Sequence, residues 1–372
     1  MTDTFVAEVE ETVDAYLKRS YDSQRRHALT RCQGWDRTFL DEIADLGWFA
    51  LAVPDKAAGL GLPLSAVGAA MVSLGRHLVP GPMPERLLLP ALLLRHLDDG
   101  GSGRSDLSGA VVALVDPAAH GSWSVDGGHV RGEPAGLAGS MLPVRFAREA
   151  DLLLVVAESA EGTAVHLLSS RGPGVDVEPV ESADPTARLA RVTFAEPAGA
   201  GTAPVLTGSA AERFVAELRA WAQILAACEL AGIAVRMVEE TTAFVQVRKQ
   251  FGRPIGAFQA VKHTLADMYA LASSLRNLCD VTLEDATSSS ADELLVLAAV
   301  AKAYAADAAV RVCESAIQMH GGTGFTTETD LHLYYKRALA LRAWYGDHEE
   351  LTHRIGDSLL TGSQLAEPRS TS

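Results

Sequence analysis

From Ser209 onward, apolar residues recur at Phe214, Leu218, Trp221, Leu225, Cys228, Val235, Val238 and Val245. Spacings of three, four and seven put these side chains on one stripe of a long helix. A second helix is predicted after Pro254–Ile255–Gly256, running to about Leu283. A third follows Ser288–Ser290, with Asp292 as a candidate N-cap, and ends at Gly321–Gly322. A fourth covers Asp330 to Trp344. Long helices joined by short connections predict an antiparallel bundle over residues 206–372.

The first 105 residues also read as helical. Phe39, Leu40, Ile43 and Leu46 lie at helical spacing within Asp36–Trp48, and Gly47 ends the run. Pro54 and the Gly59–Leu60–Gly61 loop lead to a second stretch, Leu64 to Leu78. Pro80, Pro82 and Pro84 precede another apolar helix ending near Asp98, and Gly100–Gly103 reads as a linker. Residues 106–205 change period. Short β-type runs are predicted at Ala110–Val115, Ser122–Val125, His129–Arg131, Leu152–Ala157, Ala164–Ser169, Val175–Val180 and Leu189–Phe194. Asp126–Gly127–Gly128 and Glu161–Gly162 are hairpin signals, so a small antiparallel sheet or barrel is expected, not a βαβ unit.

Composition narrows the function. The 372 residues are 48% hydrophobic and 21% charged, as in a packed globular chain of two or three domains. A formal net charge of −15 argues against nucleic-acid binding, which needs clustered Lys and Arg to neutralise phosphates. The four cysteines (Cys32, Cys228, Cys279, Cys313) lack metal-ligand spacing and read as free thiols, with no structural metal expected. Met1–Glu11 is acidic and lacks the blocks of a signal peptide. The apolar run Leu87–Leu94 is interrupted by Pro90 and too short to span a bilayer, so a cytoplasmic location is expected.

Two segments carry chemistry. Val247–Gln259 places Arg248, Lys249 and Arg253 at the end of the long helix, around a Gly/Pro turn. Cations there complement the helix dipole; equally, they could pair with a pyrophosphate, with Phe251 offering an aromatic face and Gln250 and Gln259 offering amides. Gln318–Phe325 is glycine-rich and lies between two helices. It reads as a helix C-cap and turn, or as backbone open to a nucleotide; it follows no strand and so is not a Rossmann fingerprint.

In this order, the segments resemble the acyl-CoA dehydrogenase family, with its R-x-x-F-G-x-x-(I/L)-x-x-x-Q and Q-x-x-G-G-x-G-(F/Y) motifs. The matches are Arg248, Phe251, Gly252, Ile255 and Gln259, then Gln318, Gly321, Gly322, Gly324 and Phe325. Leu265–Met268, Leu46–Gly47–Trp48, Val53–Pro54, Gly59–Leu60–Gly61, and Asp184, Thr186, Arg188 and Phe194 are similar to further family stretches. The resemblance implies an α+β fold with a helical N-terminal domain (1–105), a middle antiparallel β-barrel (106–205) and a C-terminal four-helix bundle (206–372). It implies FAD at a subunit interface, with Arg248 on the pyrophosphate, Phe251 on the adenosine side, and Gln318, Gly321 and Gly322 on the ADP portion of a neighbouring subunit's flavin. An acyl-CoA substrate and electron transfer to an electron-transfer flavoprotein follow from the same resemblance.

The departures are specific. Removing the α-proton of an acyl thioester needs a carboxylate. The family's Y-E-G-T stretch corresponds to Tyr345–Gly346–Asp347–His348, which puts Gly346 at the Glu position. The alternative family position, on the first bundle helix, falls at Ala222. Asp347 is displaced by one residue, and reads either as the base or as a solvated loop residue or helix cap. The family's T-E-P-x-x-G-S-D stretch has its nearest remnant at Asp116–Ser122. The pattern is similar to actinobacterial heterotetrameric dehydrogenases acting on steroid-derived CoA thioesters, in which one homologous subunit supplies what the other lacks. A homo-oligomeric enzyme using Asp347 and a non-catalytic subunit are the alternatives.

Overall fold

The computed structural model describes all residues except 1, 33–34, 98–106, 108, 120–128, 134–135, 161, 199–202, 327–328 and 362–372. The expected Gly100–Gly103 linker, the Ser122–Val125 strand and the Asp126–Gly128 turn lie outside the described residues. The chain divides into two compact units, Met1–Arg26, Gly68–Val79 and Gln223–Leu365 in one, and His27–Val67, Pro80–Ala222 and Ala366–Ser372 in the other.

The helical elements are α1 (Thr2–Ser20), α2 (Ser23–Arg31), α3 (Arg37–Asp45), α4 (Leu64–His77), α5 (Met83–His96), α6 (Gly208–Val247), α7 (Gln259–Asp285), α8 (Ala291–His320), α9 (Leu331–Ala343) and α10 (His348–Thr361). The strands are β1 (Val112–Val115), β2 (Val130–Glu133), β3 (Gly136–Arg145), β4 (Leu152–Ser159), β5 (Gly162–Ser169), β6 (Val175–Pro179), β7 (Leu189–Ala198) and β8 (Leu206–Thr207). A two-stranded ribbon, β9 (Lys249–Gln250) and β10 (Arg253–Pro254), follows α6.

The first unit is helical. α6 is one uninterrupted 40-residue helix, long and apolar enough to cross a bilayer, but the apolar window is mostly buried within the protein. Its tight approach to α4 depends on glycine. A Cβ on Gly232 would sit 2.0 Å from the Val72 carbonyl oxygen, and one on Gly75 would sit 2.1 Å from that of Glu229. The end of α4 is capped from α2, α9 and the α1–α2 link. The Arg76, His77 and Leu78 carbonyls accept from Tyr334 Oη (2.9 Å), Arg26 Nε (3.0 Å) and Tyr21 Oη (3.2 Å). At the start of α8, Ser290 and Glu293 form a capping box. The N-cap is thus Ser290, upstream of the Asp292 expected from sequence, which instead lies in the first turn.

The second unit holds the sheet. Its strand order is β6-β7-β3-β2-β4-β5-β8, with β1 pairing β4 off that path. The expected antiparallel barrel is therefore corrected to an open, mixed sheet. β6 and β8 are unclosed ends, and β1 and β2 each pair with β4 in parallel. Parallel pairing needs long connections that leave no local turn signal. The β4–β5 hairpin matches the predicted runs, with Ser159 opposite Gly162. β3 is disguised in the sequence by Gly136, Gly139 and Pro143, and its pairing with β7 shifts register between Met141 and Val144. Apolar residues of β1, β4 and β7, including Ala113, Leu153, Val155, Val192 and Phe194, form the core on this sheet.

Candidate active site

The end of α6 carries the first motif. After Val247, β9 and β10 fold back as an antiparallel ribbon, Gln250 opposite Arg253. Phe251 (φ 51°) and Gly252 (φ 80°) make its tip, both in the left-handed region that a two-residue hairpin turn requires. The Ile255 amide donates to the Arg248 carbonyl at 2.8 Å, closing the loop onto the helix end. Arg248, Lys249, Gln250, Arg253 and Gln259 are exposed, and the Phe251 side chain is 92% exposed. Arg253 lies over the Phe258 ring at 4.2 Å, and Phe258 meets Phe251 edge-on at 6.1 Å. An aromatic side chain held this far out on a basic ribbon has the chemistry to stack a base and pair an anion.

The second motif begins where α8 ends. Gly321 (φ 62°, ψ −135°) stops the helix in a conformation that side chains rarely adopt. A Cβ on Gly321 or Gly322 would meet nothing within 4 Å, so the backbone is open here, and Gln318 is exposed. Gly324 differs: a Cβ there would sit 2.6 Å from the Ile317 carbonyl oxygen, so this glycine serves the turn itself. The two motifs meet through Phe244, one turn before Arg248, which stacks on His320 at 4.1 Å. His320 Nδ1 is in turn 2.8 Å from the Ala316 carbonyl oxygen. The basic ribbon and the open glycines thus belong to one corner of the helical unit. Two exposed arginines, an exposed ring and an unobstructed Gly321–Gly322 backbone fit the ADP end of a dinucleotide.

The turn between α9 and α10 holds Gly346 and Asp347. Tyr345 (φ 59°) and Gly346 (φ 99°) both have positive φ. A Cβ on Gly346 would lie 2.9 to 3.3 Å from the Leu351 side chain, which is itself fully buried. Asp347 Oδ1 accepts from the Glu350 amide at 2.9 Å, capping α10. Gln223 Nε2 donates to the Tyr345 carbonyl at 2.8 Å. Lys302 Nζ donates to the carbonyls of Gly346 (2.7 Å) and Arg342 (3.0 Å). Burial drives the Lys302 pKa down to about 7; Asp347 and Glu350 oppose that fall and Arg342 adds to it. Beside the turn, Arg337 and Glu229 form a buried pair (2.6 and 3.2 Å), and Arg337 also lies over the Trp344 ring at 5.2 Å. The other alternative position, Ala222, is buried in α6.

Sequence reasoning missed Lys302, Gln223 and Arg337; Glu229 itself reads as a surface or interhelical pair, and Arg337 is its partner across helices. The signal for Lys302 was present: it occupies a position on the alanine face of α8 shared by Ala298, Ala305 and Ala309. A lone cation in an otherwise apolar stripe is a buried group with a fixed partner. In the sheet unit, Asp116 is fully buried and takes a two-point contact from Arg219 (3.0 and 2.8 Å). Its Oδ1 also accepts from the Ala118 amide at 3.1 Å. Asp184 accepts from the amide and hydroxyl of Thr186 (2.9 and 2.6 Å), and Arg188 pairs with Glu149. Gly121 and Ser122 lie outside the described residues.

The chain thus combines a long-helix unit with a mixed β-sheet unit, and comparison with known proteins gives the class. The family described as acyl-CoA dehydrogenase, C-terminal domain, matches residues 212–360. The acyl-CoA dehydrogenase FadE27 of Mycobacterium tuberculosis is 30% identical over 349 residues, 88% of this chain and 89% of that protein. The acyl-CoA dehydrogenase IpdE2 of the same organism is 29% identical over 317 residues, 84% of each. A chain of the ChsE4–ChsE5 complex from M. tuberculosis superposes with a TM-score of 0.85 at 25% identity, covering 96% of this chain and 97% of that one. The chain belongs to the acyl-CoA dehydrogenase family.

Proposed function

We propose that this chain is one subunit of a heteromeric, FAD-dependent acyl-CoA dehydrogenase, supplying the ADP-binding half of the cofactor site while a homologous subunit supplies the carboxylate base. The observation that carries this reading is Gly346. At the family's base position stands a glycine with φ 99° whose side-chain space is taken by Leu351. The neighbouring Asp347 is engaged as the cap of α10. The exposed Arg248, Phe251 and Gln259, with Gln318 and the open Gly321–Gly322 backbone, are the residues that would hold FAD; Gly324 would shape the turn. FAD held by these residues would supply the acceptor for the β-hydride of the acyl thioester. This chain's part is to pair the pyrophosphate, stack the adenine and let the ligand approach the unobstructed Gly321–Gly322 backbone closely.

The similarity to a chain of the ChsE4–ChsE5 complex supports assembly from two homologous chains. A bulky, steroid-derived acyl group, oxidised in the cytoplasm with an electron-transfer flavoprotein as acceptor, is the substrate reading that the sequence resemblance favours. The test is co-expression with homologous chains, read by native mass and flavin absorbance. The chain alone should carry little flavin and no activity, and a partner should restore both. A flavin-loaded, active homo-oligomer that loses turnover in Asp347→Asn would overturn this reading in favour of Asp347 as base.

A further inference from the structure

Two consecutive residues with positive φ, one of them a tyrosine, do not persist unless their surroundings hold them. A left-handed non-glycine residue is disfavoured, and such outliers gather where a fixed geometry is needed. Here the carbonyls of both residues are engaged by side chains from different helices. Gln223 of α6 reaches Tyr345, and Lys302 of α8 reaches Gly346 and, with a further hydrogen bond, Arg342 at the end of α9. His348 Nδ1 lies 2.8 Å from the Ala303 carbonyl oxygen, tying the start of α10 to α8 beside Lys302.

We propose that Gln223 and Lys302 are positioning residues that clasp the Trp344–Asp347 turn in a single conformation, with Lys302 making that clasp sensitive to protonation. The catalytic meaning of the turn rests on the acyl-CoA dehydrogenase reading, in which this turn carries the base of other members. The clasp itself is a property of the chain, so it is tested without a partner.

The physics follows from where the ammonium sits. Lys302 is fully buried on the alanine face of α8. The charged groups facing it are Asp347 on the turn, Glu350 on α10 and Arg342 on α9, with the His348 ring one residue along α10 from the turn. Burial is the largest influence and lowers its pKa to about 7. Opening the turn hydrates Lys302 and returns it to its ordinary basicity. Above pH 7 the closed turn therefore binds fewer protons than the open one, so raising the pH favours closure. Below 7 both states are protonated and the preference is constant. The neutral amine keeps two N–H donors, enough for both carbonyls.

The experiment is amide hydrogen exchange on the full-length chain between pH 6.5 and 8.5, corrected for intrinsic base catalysis. The amides of Trp344, Glu350 and Leu351 are the reporters, because all three bond within the turn region, to Leu341, Asp347 and Asp347. In the wild type, protection should rise above pH 7, approaching about tenfold per unit, with a flat profile below. Lys302→Met should abolish the slope. Gln223→Leu removes one neutral hydrogen bond and should lower protection about fivefold while keeping the slope. Amides in the middle of α7 should respond to neither substitution. A flat wild-type profile, a slope retained in Lys302→Met, or unchanged protection in Gln223→Leu would each overturn the proposal. If Lys302→Met does not fold, the wild-type slope and the Gln223→Leu amplitude still decide it.

Discussion

Restoring the family's acidic residue by Gly346→Glu should unsettle this chain instead of activating it. Gly346 has φ 99°, and an L-residue in the left-handed region is disfavoured by roughly 1–2 kcal/mol. The new Cβ would meet three Leu351 atoms at 2.9, 3.0 and 3.3 Å. Leu351 is a leucine side chain and can shift, but it is fully buried against Ala299 and Ala303, so overpacking adds about 1–3 kcal/mol. The carboxylate would also enter a buried position, offset in part by the Lys302 ammonium already bonded to the Gly346 carbonyl. The first two effects sum to about 2–5 kcal/mol, a large fraction of the stability of a typical domain. Urea unfolding of Gly346→Ala isolates them from the carboxylate, and Gly346→Glu adds the charge. Acyl-CoA dehydrogenation by the chain alone should stay absent in both. A Gly346→Ala variant within about 0.5 kcal/mol of wild type would refute the steric reasoning. A folded Gly346→Glu variant with turnover would show that the chain lacked only its base.

The remaining predictions address other parts of the same unit. Glu229→Gln leaves the Arg337 guanidinium buried without its counter-charge, and should cost about 3–5 kcal/mol in denaturant unfolding. Gly232→Ala would gain roughly 1 kcal/mol of helix propensity, yet its Cβ would lie 2.0 Å from backbone on α4, so a net loss of about 2 kcal/mol is expected, visible as a lowered Tm. Ser290→Ala breaks the capping box at α8 and should destabilise by about 1 kcal/mol without touching flavin content. In the co-expressed complex, Arg248→Ala and Gln318→Ala should lower bound flavin, read as the ratio of visible to protein absorbance, while leaving the native mass unchanged.

What the sequence disclosed was local. The long helix α6, the stop at Gly321 and the turn around Phe251–Gly252 are each marked locally, so period and turn chemistry suffice to find them. α6 is nonetheless buried on all sides around Leu218–Ala231, and not along the single predicted stripe. Apart from the α8 N-cap, which is Ser290 and not Asp292, most failures are distant or disguised. β1 pairs with β4, beginning at Val112 opposite Leu152, and nothing near Val112 announces a parallel partner so far along the chain. β3 carries two glycines and a proline that break the alternation of a strand. The Asp116–Arg219 contact joins residues 103 positions apart, so Asp116 reads from sequence as a loop remnant when it is a buried anchor. α10 was also missed, although Leu351, Ile355 and Leu359 repeat along it at a spacing of four.

The turn at Gly346 shows how far the two kinds of information differ. A missing glutamate is a one-letter observation, and it invites the picture of a site with a gap where the base should be. The folded chain fills that gap. Leu351 takes the space, Asp347 caps the next helix, and Gln223 and Lys302 engage the two carbonyls on either side of the Tyr345–Gly346 bond. Glycine suits such an arrangement because a φ of 99° and the neighbouring Leu351 both disfavour the side chain that the chemistry would need. The glycine and the clasp therefore act together on one turn. On the heteromeric reading proposed above, a single Gly346→Glu substitution would not supply the base, because the turn as folded leaves little room for the side chain.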